Sequence, residues 1–323
     1  MQPTIIGVYK LMFNVKFILI LLNINGIGNR TINNLIKCQL PCSLESISIL
    51  NFLDSCRSDI KRIPKVTLDQ IIDAKNKCEN IILKCQNENI NIISILDDKF
   101  PKKLKIINNN PVIIYYKGNI DCINNNKSMA VIGSRGPTME GINIAYKLGK
   151  YLSKRGFIVV SGLALGCDTF VHEGCLSSKG QTVAVMPCGL DIIYPKTNEK
   201  LFKNIIHNEG CIISEYAPNQ KTYKNQFIER DRLQSALSAG IIVVEASINS
   251  GSMYTVNFAL KQNKIVGCCT HTQKNMHLLK NKNIYNIQDE KSLESFILNV
   301  EAKINDINKK VKYEEYTQIT FTI

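Results

Sequence analysis

The feature that most constrains this chain is a repeated pairing in its middle third, where a short apolar run is followed by a glycine- or serine-rich turn. Thirteen of the 18 glycines fall between Gly133 and Gly251. The apolar runs are Met129–Ile132, Phe157–Val160, Thr182–Met186, Cys211–Ser214, Ile241–Val244 and Ile265–Cys268. Between them lie helical patterns at Gly141–Lys154, Asp168–Ser178, Ile228–Ala239 and Ser252–Gln262. Strand-like runs separated by helices of 10–15 residues predict an α/β chain with a doubly wound, mostly parallel sheet.

The first 60 residues read differently. They carry Leu and Ile at helical spacing without strand alternation, which predicts a small helical domain. Leu22 to Ile36 form a helix–Gly26-Ile27-Gly28–helix pattern, either a hairpin whose amides can face a phosphate or a tight turn between helices. Pro111–Tyr116 reads as an added strand, and the Asn108–Asn110 and Asn124–Asn126 runs read as loops. The expected organisation is a helical domain over 1–62, a helical connector over 63–88, a doubly wound α/β domain over 89–290 and a short C-terminal tail over 291–323. That tail is expected to be too short for a winged helix.

Charge needs care. The net charge is +13, from 40 basic and 27 acidic residues, but 33 of the bases are Lys and only seven are Arg. The chain also holds 48 Ile and 35 Asn, so Lys follows a compositional drift and is weak evidence for a polyanionic partner. An Arg that persists against that drift carries more weight, because its planar fork cannot be imitated by Lys. Twelve Cys are spread from Cys38 to Cys269 without a CxxC pair, and with four His they offer no zinc-finger spacing. Free thiols and no metal are expected. The six-residue apolar run Phe17–Leu22 is too short to span a bilayer, so the expectation is a cytoplasmic protein with no membrane partner.

Four turns should line the carboxyl edge of the sheet, where ligands of such folds bind. They are Gly133-Ser134-Arg135-Gly136, Ser161-Gly162 through Gly166, Cys188-Gly189-Leu190-Asp191 and Asn249-Ser250-Gly251-Ser252. Close backbone approach at Gly, Ser hydroxyls and helix N-termini together favour a phosphate-bearing ligand. Neither GxxxxGK[ST] nor GxGxxG is present, so no nucleotide cofactor is expected. Arg230 and Arg232 form a second cluster. Two residues apart, they diverge by about 200° on a helix and share a ligand only if their segment is loop or first turn. Asp168 and His172, four apart, are able to hydrogen-bond each other, with Asp168 also suited to helix capping. Glu245 ends a strand at the ligand edge without an evident partner. No catalytic residue is assigned.

Taken together these residues resemble the DprA/Smf family (DNA-processing protein A). The resemblance covers about Asn89 to Ile287 and rests on an ordered series. Its marks are Phe100-Pro101, Pro111–Gly118, Gly133-Ser134-Arg135, Ser161–Asp168 with His172, Gly189-Leu190-Asp191 with Tyr194-Pro195, Arg230 and Arg232, and Glu245-Ala246 with Ser250-Gly251-Ser252. It implies an extended Rossmann-like fold over 89–290 and a non-enzymatic single-stranded-DNA-binding protein that protects DNA and loads RecA recombinase during natural transformation, acting as a homodimer. By the same resemblance Arg135, Arg230 and Arg232 would clasp the DNA backbone, with Gly133, Ser134, Ser161, Gly162, Ser250, Gly251 and Ser252 shaping the cradle. Tyr194, Tyr216 and Tyr223 are candidate stacking platforms. The chain departs from the family's FPxRNR stretch at Ile228 and Asp231, and from its strand-end VPG at Gly267-Cys268-Cys269. The alternatives are a hydrolase of the nucleoside monophosphate phosphoribohydrolase type, whose PGGxGTxxE signature is absent, and a nucleotide-sensing module.

Overall fold

The computed structural model describes residues 5–220 and 222–320, so the first four and last three residues of the expected terminal segments lie outside the described residues. The chain divides into two compact units. One comprises residues 1–117 with 187–192 and 213–222, and the other 118–186, 193–212 and 223–323.

The first unit is helical at its start, with α1 (Ile5–Leu22), α2 (Asn29–Leu35), α3 (Ser46–Cys56) and α4 (Leu68–Asn87). Val15 and Phe17 to Leu21 are all buried, so the apolar run of α1 is the centre of a helical core. Among the described residues no helix is long and apolar enough to cross a membrane. A Thr67–Gln70 capping box starts α4, which fills the segment expected as a connector. Then come β1 (Asn91–Ser94), α5 (Lys102–Lys105) and β2 (Ile113–Gly118), with β1 and β2 antiparallel. The division falls after Lys117, not near residue 88, because this hairpin is tied into the helical unit. Asn14 Nδ2 donates to Asp97 Oδ1 at 3.0 Å, and Asp97 accepts from Ser94 N and Oγ at 2.7 Å each.

The second unit carries β3 (Ser128–Ile132), α6 (Met139–Lys154), β4 (Ile158–Ser161), α7 (Cys167–Ser177), β5 (Thr182–Met186), α8 (Glu199–His207), β6 (Cys211–Ser214), α9 (Lys224–Leu237), β7 (Gly240–Val243), α10 (Ser252–Lys261), β8 (Ile265–Cys269), β9 (Ile284–Ile287) and α11 (Glu290–Thr320). The last two residues of β6 fall across the division. Six strands run in the order β5-β4-β3-β7-β8-β9. All five contacts between them are parallel, with Met129 opposite Val159 and Ala130 opposite Ile241. The chain winds outward from β3 through β4 to β5, then returns to β7 on the other side of β3. That reversal is the switch point at which Rossmann-like sheets open a crevice beyond their strand ends.

The C-terminal segment is not the short tail expected from the sequence. α11 has 31 residues, and its Phe296, Ile297, Val300 and Ile304 join the core formed by Met129, Leu148, Phe157 and Val159. Their spacing of one, four and eight residues places them on one helix face. Arg155 locks the helix from outside through Glu294 at 2.8 Å and Glu301 at 3.2 Å. The strand β9 also has no counterpart in the sequence reading. Only Ile284 and Ile287 are buried in it, and Tyr285 and Asn286 face outward. The twelve cysteines are free thiols, ten of them buried.

Candidate functional site

The switch-point crevice is bounded by the turns that follow β3, β4 and β7. These turns are laced together by contacts that only small residues permit. The N–H of Cys167, at the start of α7, donates to Ser134 O at 3.1 Å, and Ser252 Oγ, at the start of α10, donates to Gly133 O at 3.0 Å. A Cβ on Gly133 would stand 2.4 Å from Cys167 Sγ, and one on Gly166 would stand 2.4 Å from Ser134 O. Gly166 also has φ +77°, a backbone conformation that side chains rarely adopt. Two helix N-termini therefore converge on the turn that carries Arg135, and the positive ends of their dipoles favour an anion there.

Arg135 is exposed on that turn, its guanidinium 5.4 Å from the centre of the Phe227 ring. Phe227 in turn meets Tyr194 edge to face at 5.6 Å. Tyr194 is 46 % exposed and Tyr223 58 %, whereas Tyr216 is buried. The crevice thus holds a cation seated on an aromatic pair. Phe227 is the member the sequence reading missed, because nothing in its spacing shows that the start of α9 returns to the first turn. Beside it, among the described residues, Gly136 and Gly251 face open space, and Ser250 Oγ is buried with no hydrogen-bond partner.

The other expected contact residues are placed behind this surface. The segment around Arg230 and Arg232 is neither loop nor first turn but the middle of α9, and both arginines are buried, at 6 % and 5 % exposure. Arg230 Nη1 donates to Gly162 O at 2.9 Å and to Val185 O at 2.6 Å, joining the ends of β4 and β5. Its Nε donates to Asp231 Oδ1 at 3.0 Å. Arg232 Nη1 donates to Glu229 O at 3.1 Å within its own helix. Their divergence on the helix is real, so the two guanidinium groups do not address one ligand together. Ser161 is fully buried, and its hydroxyl donates to Val131 O at 2.7 Å. The turn at Cys188–Asp191 belongs to the first unit, where Asp191 Oδ2 accepts from Asn219 N at 2.9 Å.

The candidate acid–base groups are all committed. Asp168 and His172 do not pair. Asp168 Oδ2 accepts from Gly162 N at 3.1 Å and Ala164 N at 3.3 Å, so it caps the turn before its helix. Burial raises its pKa, opposed by Arg230 and by these amides. His172 Nδ1 lies 2.7 Å from Thr182 Oγ1, whose hydroxyl donates to Val159 O at 2.8 Å. That leaves Thr182 Oγ1 as acceptor and fixes the proton on Nδ1. Burial pushes the imidazole down to about 3. Burial also pushes the Asp231 carboxyl up to about 6, with Arg230 pulling the other way. Glu245 is fully buried, which by itself raises its pKa, yet hydrogen bonds from Thr138, His271 and Lys274 hold it below the usual carboxylate range. Its Oε2 accepts from Lys274 Nζ at 3.3 Å and Thr138 N at 3.3 Å, and its Oε1 faces His271 Nε2 at 3.1 Å. Among the described residues no group of three or more His, Cys, Asp or Glu is placed to hold a metal ion.

Residues 91–291 match the model of the DNA recombination-mediator protein A family. The chain is 39 % identical to the DNA processing protein DprA of Streptococcus pneumoniae over 173 residues, covering 54 % of this chain and 60 % of that protein. It is 34 % identical to protein Smf of Synechocystis over 204 residues, covering 62 % of this chain and 51 % of that protein. The matched segment is thus between half and two thirds of the length of these two relatives. Among solved structures, that of S. pneumoniae DprA superposes with a TM-score of 0.64 at 28 % identity, over 83 % of this chain and 98 % of that one. DNA processing protein A of Helicobacter pylori, described for its single-stranded-DNA binding mode, superposes with a TM-score of 0.57 at 28 % identity, over 69 % and 98 %.

Proposed function

This chain belongs to the DNA recombination-mediator protein A family, and we propose from that premise that it binds single-stranded DNA across the switch-point crevice of its second unit. The observation that carries the reading is Arg135, an exposed guanidinium on an aromatic pair, at the turn where the N-termini of α7 and α10 meet. The guanidinium and the backbone of the Gly133–Gly136 turn meet a phosphate, and Ser250 Oγ offers a buried hydroxyl to a second oxygen. Tyr194, Phe227 and Tyr223 offer ring faces to bases, which stack without regard to sequence.

Arg230 and Arg232 have a different part in this scheme. Arg230 holds the β4 and β5 ends in register and so shapes the floor of the crevice, and Arg232 braces α9. Gly162 and Ser161 act in the same way, through backbone position. Glu245 ties the Thr138 end of the first turn to the β7 end through its hydrogen bonds to Thr138, His271 and Lys274. The protein is then a cytoplasmic, non-enzymatic homodimer that protects DNA and delivers it to RecA recombinase in natural transformation.

The test is a titration with a single-stranded oligonucleotide and its duplex, followed by RecA filament assembly on DNA coated with a single-strand-binding protein. Preference for the single strand and faster RecA assembly are expected. Equal affinity for both forms, or release of free base from a nucleoside monophosphate, would overturn the reading.

A further inference from the structure

The seven arginines sort into two classes by what they touch. Arg57 is paired with Asp54 at 2.6 Å and donates to Pro64 O at 2.9 Å. Arg155 is paired with Glu294 and Glu301. Arg230 and Arg232 are buried on backbone carbonyls. Arg30, Arg62 and Arg135 are exposed instead, and none of the three has an ion pair among the described residues. Arg135 belongs to the crevice already described. Arg30 and Arg62 line one concavity of about 450 Å³ in the first unit, together with Lys37 and Lys61.

Two segments build this concavity. Arg30, Asn34 and Lys37 recur at helical spacing along α2 and the turn that continues it, on the side opposite the buried Ile32 and Leu35. Lys61 and Arg62 come from the turn after α3, held between the half-buried Ile60 and the buried Ile63. Four cations face one carboxylate, Asp59. Like charges held this close repel one another, and a polyanion relieves that repulsion. The cations also extend over about 10 Å along α2, longer than a single phosphate group. That spread favours a chain of phosphates over one phosphorylated side chain.

We propose that this concavity is a second DNA-backbone site, in which Arg30 and Arg62 each grip a phosphate through their forked donors and Lys37 and Lys61 neutralise the flanking ones. The ligand is the phosphodiester backbone common to single strands and duplexes. The proposal rests on the reading that this chain handles DNA, but not on the switch-point crevice as the place of contact.

The test compares full-length Arg30→Gln/Arg62→Gln with a control, Lys77→Gln/Lys84→Gln, that removes the same charge from lysines paired with Asp73 and Glu88 in the same unit. Each is titrated with a 30-nucleotide single strand and with the matching duplex over a salt series, and circular dichroism confirms folding. The arginine variant is expected to lose about 1.4 from the log–log salt slope on single strands, 0.7 for each contact removed, and more on the duplex. The control is expected to keep the parental slope. Unchanged slopes in the arginine variant, or equal losses in the control, would overturn the proposal. So would binding of a phosphopeptide through Arg30 and Arg62 without any effect on DNA. Arg135→Ala measured alongside separates the two sites. Loss there with none in Arg30→Gln/Arg62→Gln defeats this proposal alone, and the converse defeats the crevice reading alone.

Discussion

Arg230 Nη1 bridges Gly162 O and Val185 O, at 2.9 and 2.6 Å, so one buried guanidinium nitrogen fixes the spacing of two neighbouring strand ends. This bridge commits Arg230 to the protein's own backbone, whereas Arg135 stays exposed. Lys lacks the fork that also reaches Asp231. Arg230→Lys should cost on the order of 2 kcal/mol of stability, from weakened charge-assisted hydrogen bonds. Single-strand affinity should fall several-fold while the salt slope stays parental, because no phosphate contact is lost. A reduced slope would place Arg230 on the DNA instead.

Gly162 leaves no room for a side chain on the other side of the same bridge. A Cβ there would lie 2.1 Å from Arg230 Nη1 and 2.6 Å from the side-chain amide of Gln234. Gly162→Ala should destabilise the protein by about 1–3 kcal/mol through overpacking. Denaturant melts would show it as a lower midpoint with an unchanged slope, and an unshifted midpoint would mean that the Arg230 side chain relocates freely.

His172 predicts an acid sensitivity. Its folded pKa, about 3, is depressed below the ordinary 6.5 by burial, so its contribution is complete above pH 6.5 and is lost as pH falls. Stability should drop by about 1.4 kcal/mol per pH unit from this group below pH 6. In His172→Gln that part of the slope should vanish, and parallel pH profiles for the two proteins would show the ring to be protonated in the fold.

Asp231 predicts the opposite slope. Its folded pKa, about 6, lies above the ordinary 3.8 because of burial, so its stabilising contribution is present below pH 4 and is lost as pH rises through 6. Asp231→Asn should therefore gain on the parent between pH 4 and 7, by at most about 3 kcal/mol. A difference between the two proteins that is flat across this range would contradict a buried, partly protonated Asp231.

The sheet was legible because parallel strands buried on both faces leave continuous apolar runs, and Thr182–Met186 is observed with the expected bounds. Where only alternate residues are buried the signal fades, and β9 went unread between its Asn and Lys neighbours. α11 was hidden because its apolar stripe is sparse and its burial comes from docking on a core built 140 residues earlier. The candidate site was legible as a set of turns but not as a set of roles. Sequence places Arg135 and Arg230 at the same sheet edge, yet only the path of α9 sends Arg230 inward and brings Phe227 under Arg135. The i, i+4 spacing of Asp168 and His172 suggested a pair, but two free amides lay closer to the carboxylate, and Thr182 lay closer to the ring.

The most direct test of the crevice is the salt dependence of single-strand binding in Arg135→Ala. Arg135 is exposed and its guanidinium rests on the Phe227 ring with no ion pair among the described residues, so its loss should leave the fold intact. Weaker binding is expected, with a log–log salt slope shallower by about 0.7, the value for one phosphate contact on single-stranded DNA. A folded variant with parental affinity and parental slope would contradict it.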